Sequence, residues 1–237
     1  MYEERAPAAD LAGHLRCSWT HITGGSGTVL PDGCLDLMWI AGELVVAGPD
    51  TVATRGELGP GLEIAAVRFR PGAAPAVLGL PASALRDRRV PLAELWPDTG
   101  ALAARHDATT NRVAVLEAAV RRRLGDAPPV DPVALAVAGR LSRRPAVGRD
   151  RWGVVADLAG RTGLSERQLH RRCVASFGYG AKTLDRVLRL QRFLALGRAD
   201  PAAGLARLAA DAGYTDQAHL GHDCRALAGA TPAELMA

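Results

Sequence analysis

Lysine, cysteine and aromatic residues are scarce in this chain of 237 residues. Aromatic side chains make up only 4% of it, and Lys182 is the single lysine. The four cysteines, Cys17, Cys34, Cys173 and Cys224, lie far apart and form no Cys-x-x-Cys pair. This spacing argues against a disulfide scaffold and against a four-cysteine zinc site, and it favours a reducing, cytoplasmic environment.

Long apolar runs and the common catalytic motifs are also missing. No run approaches the roughly 18 apolar residues that a membrane span needs, and the first residues lead into no apolar segment of a secretory signal. The sequence has no phosphate-binding loop, no dinucleotide fingerprint, no zinc-protease motif and no nucleophile elbow. We therefore expect no membrane contact, no metal, no cofactor and no enzymatic activity.

Positive charge is concentrated in the last third of the chain. Arginine supplies 28 of the 29 basic residues. Residues 1–145 carry 16 basic and 16 acidic residues, whereas residues 146–237 carry 13 basic and 9 acidic residues. All of the net charge of +4 therefore lies in the C-terminal part, as a module that binds a polyanion would require.

The N-terminal part has the pattern of short strands separated by turns. Pro31 to Gly33 is a turn, because Pro presets φ and Gly permits a positive φ. Strands are predicted at Cys34–Ile40, Leu44–Ala47 and Leu62–Phe69, because apolar residues alternate or cluster there between Gly and Pro. The pattern is typical of a small β-barrel or sandwich, and we expect a small β-barrel or cupin-like domain here.

Helices follow this β-rich block. Apolar residues at three-to-four spacing predict a helix over Arg112–Leu124, and Asp131 followed by Pro132 predicts the start of another that ends near Ser142. The intervening Gly and Pro residues near 125–130 are typical of a linker. We expect an α+β chain with a β-rich domain and helical extension in residues 1–125, and an all-α domain in residues 130–237.

The C-terminal part contains an internal duplication. Leu158, Ala159 and Gly163 recur 50 positions later as Leu208, Ala209 and Gly213. Leu169 and Cys173 recur 51 positions later as Leu220 and Cys224. In each copy an amphipathic helix ends at a Gly, and an N-cap residue (Ser165 or Asp216) then begins a second helix. This order predicts two helix-turn-helix units.

The second helix of each unit should present a polar outer face. In the first unit Arg167, His170 and Arg171 share one side, with Ser165 and Glu166 beside them at the start of the helix. Arginine suits the O6 and N7 atoms of guanine, although a solvated charged face would show the same pattern.

In the second unit the equivalent face carries Gln217, Ala218 and His222. Glutamine can contact adenine, whereas the small side chain of Ala218 allows close approach but offers no hydrogen bond.

A long helix is predicted between the two units, over Ala181–Gly197. It would space the two recognition helices by about one turn of DNA, roughly 34 Å. Arg186, Arg189 and Arg192 form a stripe along it, and the pattern leaves open whether they contact phosphates or form salt bridges.

The duplicated region resembles the DNA-binding domain of AraC/XylS-type transcription regulators. The resemblance is carried by Leu158-Ala159, Gly163-Leu164-Ser165, Gly178-Tyr179-Gly180 and Gly213-Tyr214, and it extends over residues 130–237. It implies base contacts from six positions: Arg167, His170, Arg171, Gln217, Ala218 and His222.

The N-terminal part resembles an uncharacterised β-rich sensor domain found in some members of that family. Leu30 to Leu37 and Arg68 to Gly72 carry the resemblance, which implies a regulatory domain. Candidate effector-binding residues are Cys34, Asp36 and Trp39.

The combined hypothesis is a sequence-specific DNA-binding transcription regulator. Its expected partners are double-stranded DNA, a small-molecule effector and RNA polymerase, and it would act as a monomer or homodimer. The alternative is a DNA-repair alkyl acceptor or a cysteine-based redox sensor that uses Cys34, because a reactive thiol could serve either role.

Overall fold

The computed structural model of the chain describes residues 1–25, 27–56, 59–107, 109–143 and 153–236. Its strands are Tyr2–Arg5 (β1), Leu15–Ile22 (β2), Gly27–Val29 (β3), Asp36–Ile40 (β4), Glu43–Ala47 (β5), Thr54–Gly56 (β6), Glu63–Phe69 (β7) and Arg89–Pro91 (β8). Its α-helices are Ala74–Leu78 (α1), Thr99–Asp107 (α2), Arg112–Leu124 (α3), Pro132–Ser142 (α4), Gly153–Thr162 (α5), Glu166–Phe177 (α6), Ala181–Ala199 (α7), Leu205–Ala212 (α8), Gln217–Ala228 (α9) and Pro232–Met236 (α10). The expected α+β class is confirmed, with one α-helix, α1, standing before the last strand, β8.

The strands form a six-stranded antiparallel sheet, in the order β1-β2-β7-β4-β5-β8, and a two-stranded sheet of β3 and β6. Strands β4, β5 and β7 follow the predicted pattern. The pattern does not reveal β1 or β2, and the register of β2 shifts between Leu15 and Cys17. Such a bulge interrupts the alternation of side chains from which a strand is recognised.

The two faces of the six-stranded sheet have different coverings. Side chains such as Leu37, Val67 and Phe69 join the main N-terminal core, to which α1, α2 and α3 also contribute. The opposite face carries a smaller apolar cluster around Trp19 and Ala66. Because strand side chains alternate, neighbouring residues of β4 serve different faces.

Helix α7 organises the C-terminal part. Its N-terminal half, including Leu184, packs in one core with α4, α5 and α6. Its C-terminal half, including Leu190 and Phe193, packs in a second core with α8 and α9. At 19 residues it is about 28 Å long, which makes it the common support of both helix-turn-helix units.

The linker predicted near residues 125–130 lies between α3 and α4. The division of the chain into two domains at this point stays a prediction.

The N-terminal part packs directly on the helical part. Pro49 and Ala82 lie against Gly178, just after α6, and the Arg86 guanidinium donates a hydrogen bond to the Gly178 carbonyl at 3.3 Å. Glycine is required at position 178, because φ is +84° there and a Cβ would come within 2.7 Å of the Pro49 ring.

The contact continues to the linker helix and to the second unit. The Gln191 side-chain amide donates a hydrogen bond to the Pro31 carbonyl at 2.7 Å, and the Ala53 amide donates one to the Leu227 carbonyl at 2.7 Å. The predicted turn Pro31 to Gly33 therefore lies on α7, and the N-terminal part contacts both helix-turn-helix units.

Candidate nucleic-acid interface

The first unit, formed by α5 and α6, has the turn that its sequence predicts. Gly163 adopts φ of +67°, and the Leu164 amide donates a hydrogen bond to the Ala159 carbonyl at 3.1 Å. Ser165 and Gln168 then form a reciprocal capping box at the start of α6. Together these local interactions fix the direction in which α6 leaves the turn.

The second unit, formed by α8 and α9, repeats this arrangement. Gly213 has φ of +93°, and the Tyr214 amide donates to the Ala209 carbonyl at 2.9 Å. The Asp216 carboxylate accepts a hydrogen bond from the His219 amide at 2.7 Å and caps α9. This hydrogen bond also holds the pKa of Asp216 below its usual range.

The inner faces of α6 and α9 match closely. Leu169 and Cys173 are buried under α6, and Leu220 and Cys224 are buried under α9. The offset of 51 positions in the sequence therefore corresponds to equivalent positions in the two cores.

All eight residues predicted to contact DNA are exposed, namely Ser165, Glu166, Arg167, His170, Arg171, Gln217, Ala218 and His222. Among the described residues, no carboxylate lies within salt-bridge distance of Arg167 or Arg171. By contrast, the neighbouring Arg172 pairs with Asp131 at 2.9 Å. The start of α6 therefore exposes two guanidinium groups that no described carboxylate neutralises.

His170 occupies a defined place beside the first turn of α7. A Cβ added at Gly180 would lie 2.8 Å from its Nδ1 atom. The absence of a side chain at position 180 thus leaves room for the imidazole at the edge of the exposed face.

The arginine stripe on α7 points into the protein. Arg186 and Arg189 form ion pairs with Asp223 and Asp185, at 2.9 and 3.2 Å. Arg192 donates hydrogen bonds to the carbonyls of Ala212 and Leu141, at the ends of α8 and α4. The sequence left open whether these arginines contact phosphates or form salt bridges. The structure supports contacts within the protein.

The N-terminal candidates Cys34 and Asp36 lie close to Arg68, a partner that sequence reasoning missed. Arg68 donates two hydrogen bonds to the Asp36 carboxylate, at 2.9 and 2.8 Å, and its Nε lies 3.3 Å from Asp32. The Asp32 side chain also accepts a hydrogen bond from the Cys34 amide. The motif around Pro31 to Asp36 therefore forms one polar cluster.

Trp39 lies apart from that cluster. It belongs to the main core on the other face of the sheet, and the Arg112 guanidinium stacks 3.8 Å from the centroid of its ring. The structure thus brings Cys34 and Asp36 together but does not place Trp39 beside them.

All four cysteines are buried, and burial raises the pKa of each thiol. The pKa of Cys17, of Cys173 and of Cys224 rises to about 11, and that of Cys34 rises well above its ordinary value. Because the thiolate is the reactive form, we expect all four to react slowly with a disulfide reagent such as DTNB near about pH 8 and rapidly once the protein is unfolded in urea.

The absorbance of the released thiolate measures this difference directly. Fast modification of Cys34 in the folded protein, located by mass spectrometry, would contradict the expectation and support the alternative of a reactive sensor or alkyl acceptor.

Within the described ranges, no group of three or more His, Cys, Asp or Glu side chains is placed to hold a metal ion. None of the helices in the described parts of the chain has the length and apolar character needed to cross a membrane.

Two protein families match separate parts of the chain. Residues 3–91 match a domain of unknown function, DUF6597, and residues 158–237 match a helix-turn-helix domain. No curated protein matches the chain.

Solved structures of ToxT from Vibrio cholerae are similar to the chain over most of its length. An apo ToxT variant from strain SCE256 is 13% identical, with a TM-score of 0.48 over 93% of this chain and 96% of that one. A 1.65 Å structure of ToxT is 10% identical, with a TM-score of 0.49 over 92% and 97%. Wild-type ToxT with an unsaturated fatty acid bound is 10% identical, with a TM-score of 0.44 over 92% and 94%.

Proposed function

We propose that this chain, which carries an AraC-type helix-turn-helix domain in residues 158–237, is a sequence-specific transcription regulator that binds duplex DNA through α6 and α9. The observation that carries the proposal is the pair of equivalent, capped helices with exposed polar outer faces. Recognition helices of this kind contact base edges with the residues of their first turns.

The two recognition helices would contribute differently to specificity. Arg167 and Arg171 can each donate a bidentate pair of hydrogen bonds to guanine, because neither guanidinium is engaged by a described carboxylate. Gln217 can make the corresponding pair with adenine, whereas Ala218 offers only an apolar contact. We therefore expect more of the discrimination between DNA sequences to come from α6.

Replacing Arg171 by Ala tests the assignment of the first recognition helix. A duplex is first selected from a random library by the wild-type protein, and gel-shift titration then compares affinities. We expect the variant to bind the selected duplex roughly 10- to 100-fold more weakly, since a bidentate contact to guanine is worth about 1–3 kcal/mol.

Arg122→Ala provides a matched control. Arg122 is also exposed, but it lies on α3 in the N-terminal part, so its loss removes the same charge at a site outside the proposed interface. Equal affinities for Arg171→Ala and wild type would show that α6 does not read the duplex as proposed.

The N-terminal part is proposed to regulate DNA binding in response to a small-molecule effector or through dimerisation. Support comes from its contacts with both helix-turn-helix units, at Gly178 and at Leu227. A ligand that changed the N-terminal part would thereby act on the orientation of both recognition helices. Cys34 and Asp36 are the candidates within the polar cluster, and Trp39 is a separate candidate on the opposite sheet face.

RNA polymerase as a partner and a cytoplasmic location are further parts of this proposal. Both follow from the role of a transcription regulator. Support for a role other than catalysis comes from the helix-turn-helix match.

A further inference from the structure

The second recognition helix, α9, packs over buried ionisable side chains, and such side chains are rarely fully buried unless they are paired. Five ionisable side chains from α7 and α9 make up this charged cluster, namely Asp185, Arg186, Arg189, His219 and Asp223. Four of them are buried, and only Arg186 is partly exposed.

Asp223 is the centre of the charged cluster. Its side chain is only 2% exposed, and its Oδ1 atom accepts a hydrogen bond from Arg186 Nε at 2.9 Å. Its Oδ2 atom lies 3.9 Å from Arg189 Nη2 and 3.9 Å from His219 Nε2. A carboxylate this deeply buried depends on the two arginines beside it, because removal from water is costly for an unpaired charge.

His219 connects the charged cluster to the turn. Its Nδ1 atom lies 3.1 Å from the Thr215 hydroxyl, and its ring packs edge-on against Tyr214 with the centroids 5.0 Å apart. The Arg189 guanidinium also lies against this tyrosine, 5.1 Å from the ring centroid. Rotation of α9 about its axis would therefore break contacts at both of its first two turns.

The first unit is built differently at the equivalent positions. With the offset of 51 positions, His219 corresponds to Gln168 and Asp223 corresponds to Arg172. Both are exposed, Gln168 in the capping box and Arg172 in an ion pair with Asp131. Among the described residues, the duplication thus preserves the turn and the apolar core but places buried charge only under α9.

We infer that Asp223 is a positioning residue for DNA recognition: through Arg186 and Arg189 it fixes the rotation of α9 at which Gln217 and His222 face the duplex. This inference rests on the proposed function. His222 is the immediate neighbour of Asp223, and Gln217 lies in the same first turn as His219. A change in the rotation of α9 consequently moves the reading face of the second unit and leaves that of the first unit in place.

Asp223→Ala tests the inference on a duplex selected from a random library by the wild-type protein. Hydroxyl-radical footprinting of the full chain should show two protected segments, one of which is lost in Arg171→Ala. We expect Asp223→Ala to lose the other segment, with affinity for the whole duplex lowered by about tenfold or more. Its affinity for a duplex with that other segment scrambled should stay within about twofold of wild type.

Two further variants separate positioning from folding. Asp223→Asn keeps the shape and a hydrogen-bond acceptor for Arg186 but removes the charge, so we expect a partial loss confined to the same segment. Asp211→Ala removes an exposed carboxylate from α8 in the same unit and should keep both segments. Circular dichroism reports whether each variant is folded. If Asp223→Ala does not fold, the footprint of Asp223→Asn tests the positioning role.

The results distinguish the two levels of the proposal. If the wild-type protein selects no preferred duplex, the proposed function fails. If it selects one, and a folded Asp223 variant keeps both segments or weakens both equally, the positioning role is overturned while the proposed function stands.

Discussion

Replacing Arg68 by Ala is expected to lower the free energy of unfolding by about 3–5 kcal/mol, because the substitution leaves a buried carboxylate without its charged partner. Asp36 is 8% exposed and accepts two side-chain hydrogen bonds from Arg68. The same guanidinium also lies 3.3 Å from Asp32 and 3.6 Å from Glu4. Equilibrium unfolding in urea measures the loss.

The size of this loss should depend on pH. Burial raises the pKa of Asp36, and the charge of Arg68 opposes that rise, so removal of Arg68 raises the pKa further. A carboxyl group whose pKa is higher in the folded than in the unfolded protein contributes stability at low pH and loses it as the pH rises through the folded value. The penalty of Arg68→Ala should therefore be smallest near about pH 4 and largest near about pH 7.

Arg70→Ala is the matched control, two residues further along. Arg70 is exposed and donates a hydrogen bond to the Ala12 carbonyl, so its removal should cost at most about 1 kcal/mol. The two variants could instead lose similar free energies of unfolding, or the loss for Arg68→Ala could be independent of pH. Either result would show that Arg68 does not compensate the buried charge of Asp36.

Gly48→Ala is expected to destabilise the N-terminal part by about 3 kcal/mol or more, at the upper end of the cost of overpacking. A Cβ at this position would overlap the backbone carbonyl of Leu85 and lie 3.2 Å from the carbonyl oxygen of Arg88. The Gly48 amide also donates a hydrogen bond to the Arg88 carbonyl at 2.9 Å. Because the obstacles are backbone atoms, no side-chain rotation can relieve the overlap.

The damage at Gly48 should extend to the helical part. The next residue, Pro49, packs on Gly178 at the end of α6, so displacement of this loop disturbs the contact with the first helix-turn-helix unit. We expect thermal unfolding followed by circular dichroism to show a lower midpoint for Gly48→Ala, and gel-shift titration to show weaker DNA binding.

Gly13→Ala offers a control with the same chemical change. The space around Gly13 is open and its φ lies outside the left-handed region, so Ala should be neutral or stabilise the protein by less than about 1 kcal/mol. A wild-type melting temperature for Gly48→Ala would show that the loop at Leu85 moves freely enough to admit a methyl group.

The local features of the candidate interface could be recognised from the sequence. Gly163 and Gly213 stand where a left-handed residue ends a helix, and Ser165 and Asp216 stand where a polar side chain caps the next one. These interactions join residues only a few positions apart, so their chemistry is visible in a short stretch of chain. The exposure of Arg167 and Arg171 follows from the same helical period.

The pairing of charges could not be recognised in this way. Arg186 and Asp223 are 37 positions apart, and Arg68 and Asp36 are 32 apart. The helical period placed the arginines of α7 on one stripe but gave no sign that they point inward, because an arginine is suited equally to a phosphate and to a buried carboxylate.

The amino-acid sequence alone thus determined the turns, the helix caps, the two equivalent helix pairs and their outward polar faces. Interactions between neighbours along the chain create all of these features. Three other features were decided only by the tertiary structure. These are the docking of Pro31 and Pro49 on the helical part, the separation of Trp39 from Asp36, and the buried charge beneath α9. Each of these joins or separates groups by packing between distant segments, and burial then determines whether a charge must find a partner.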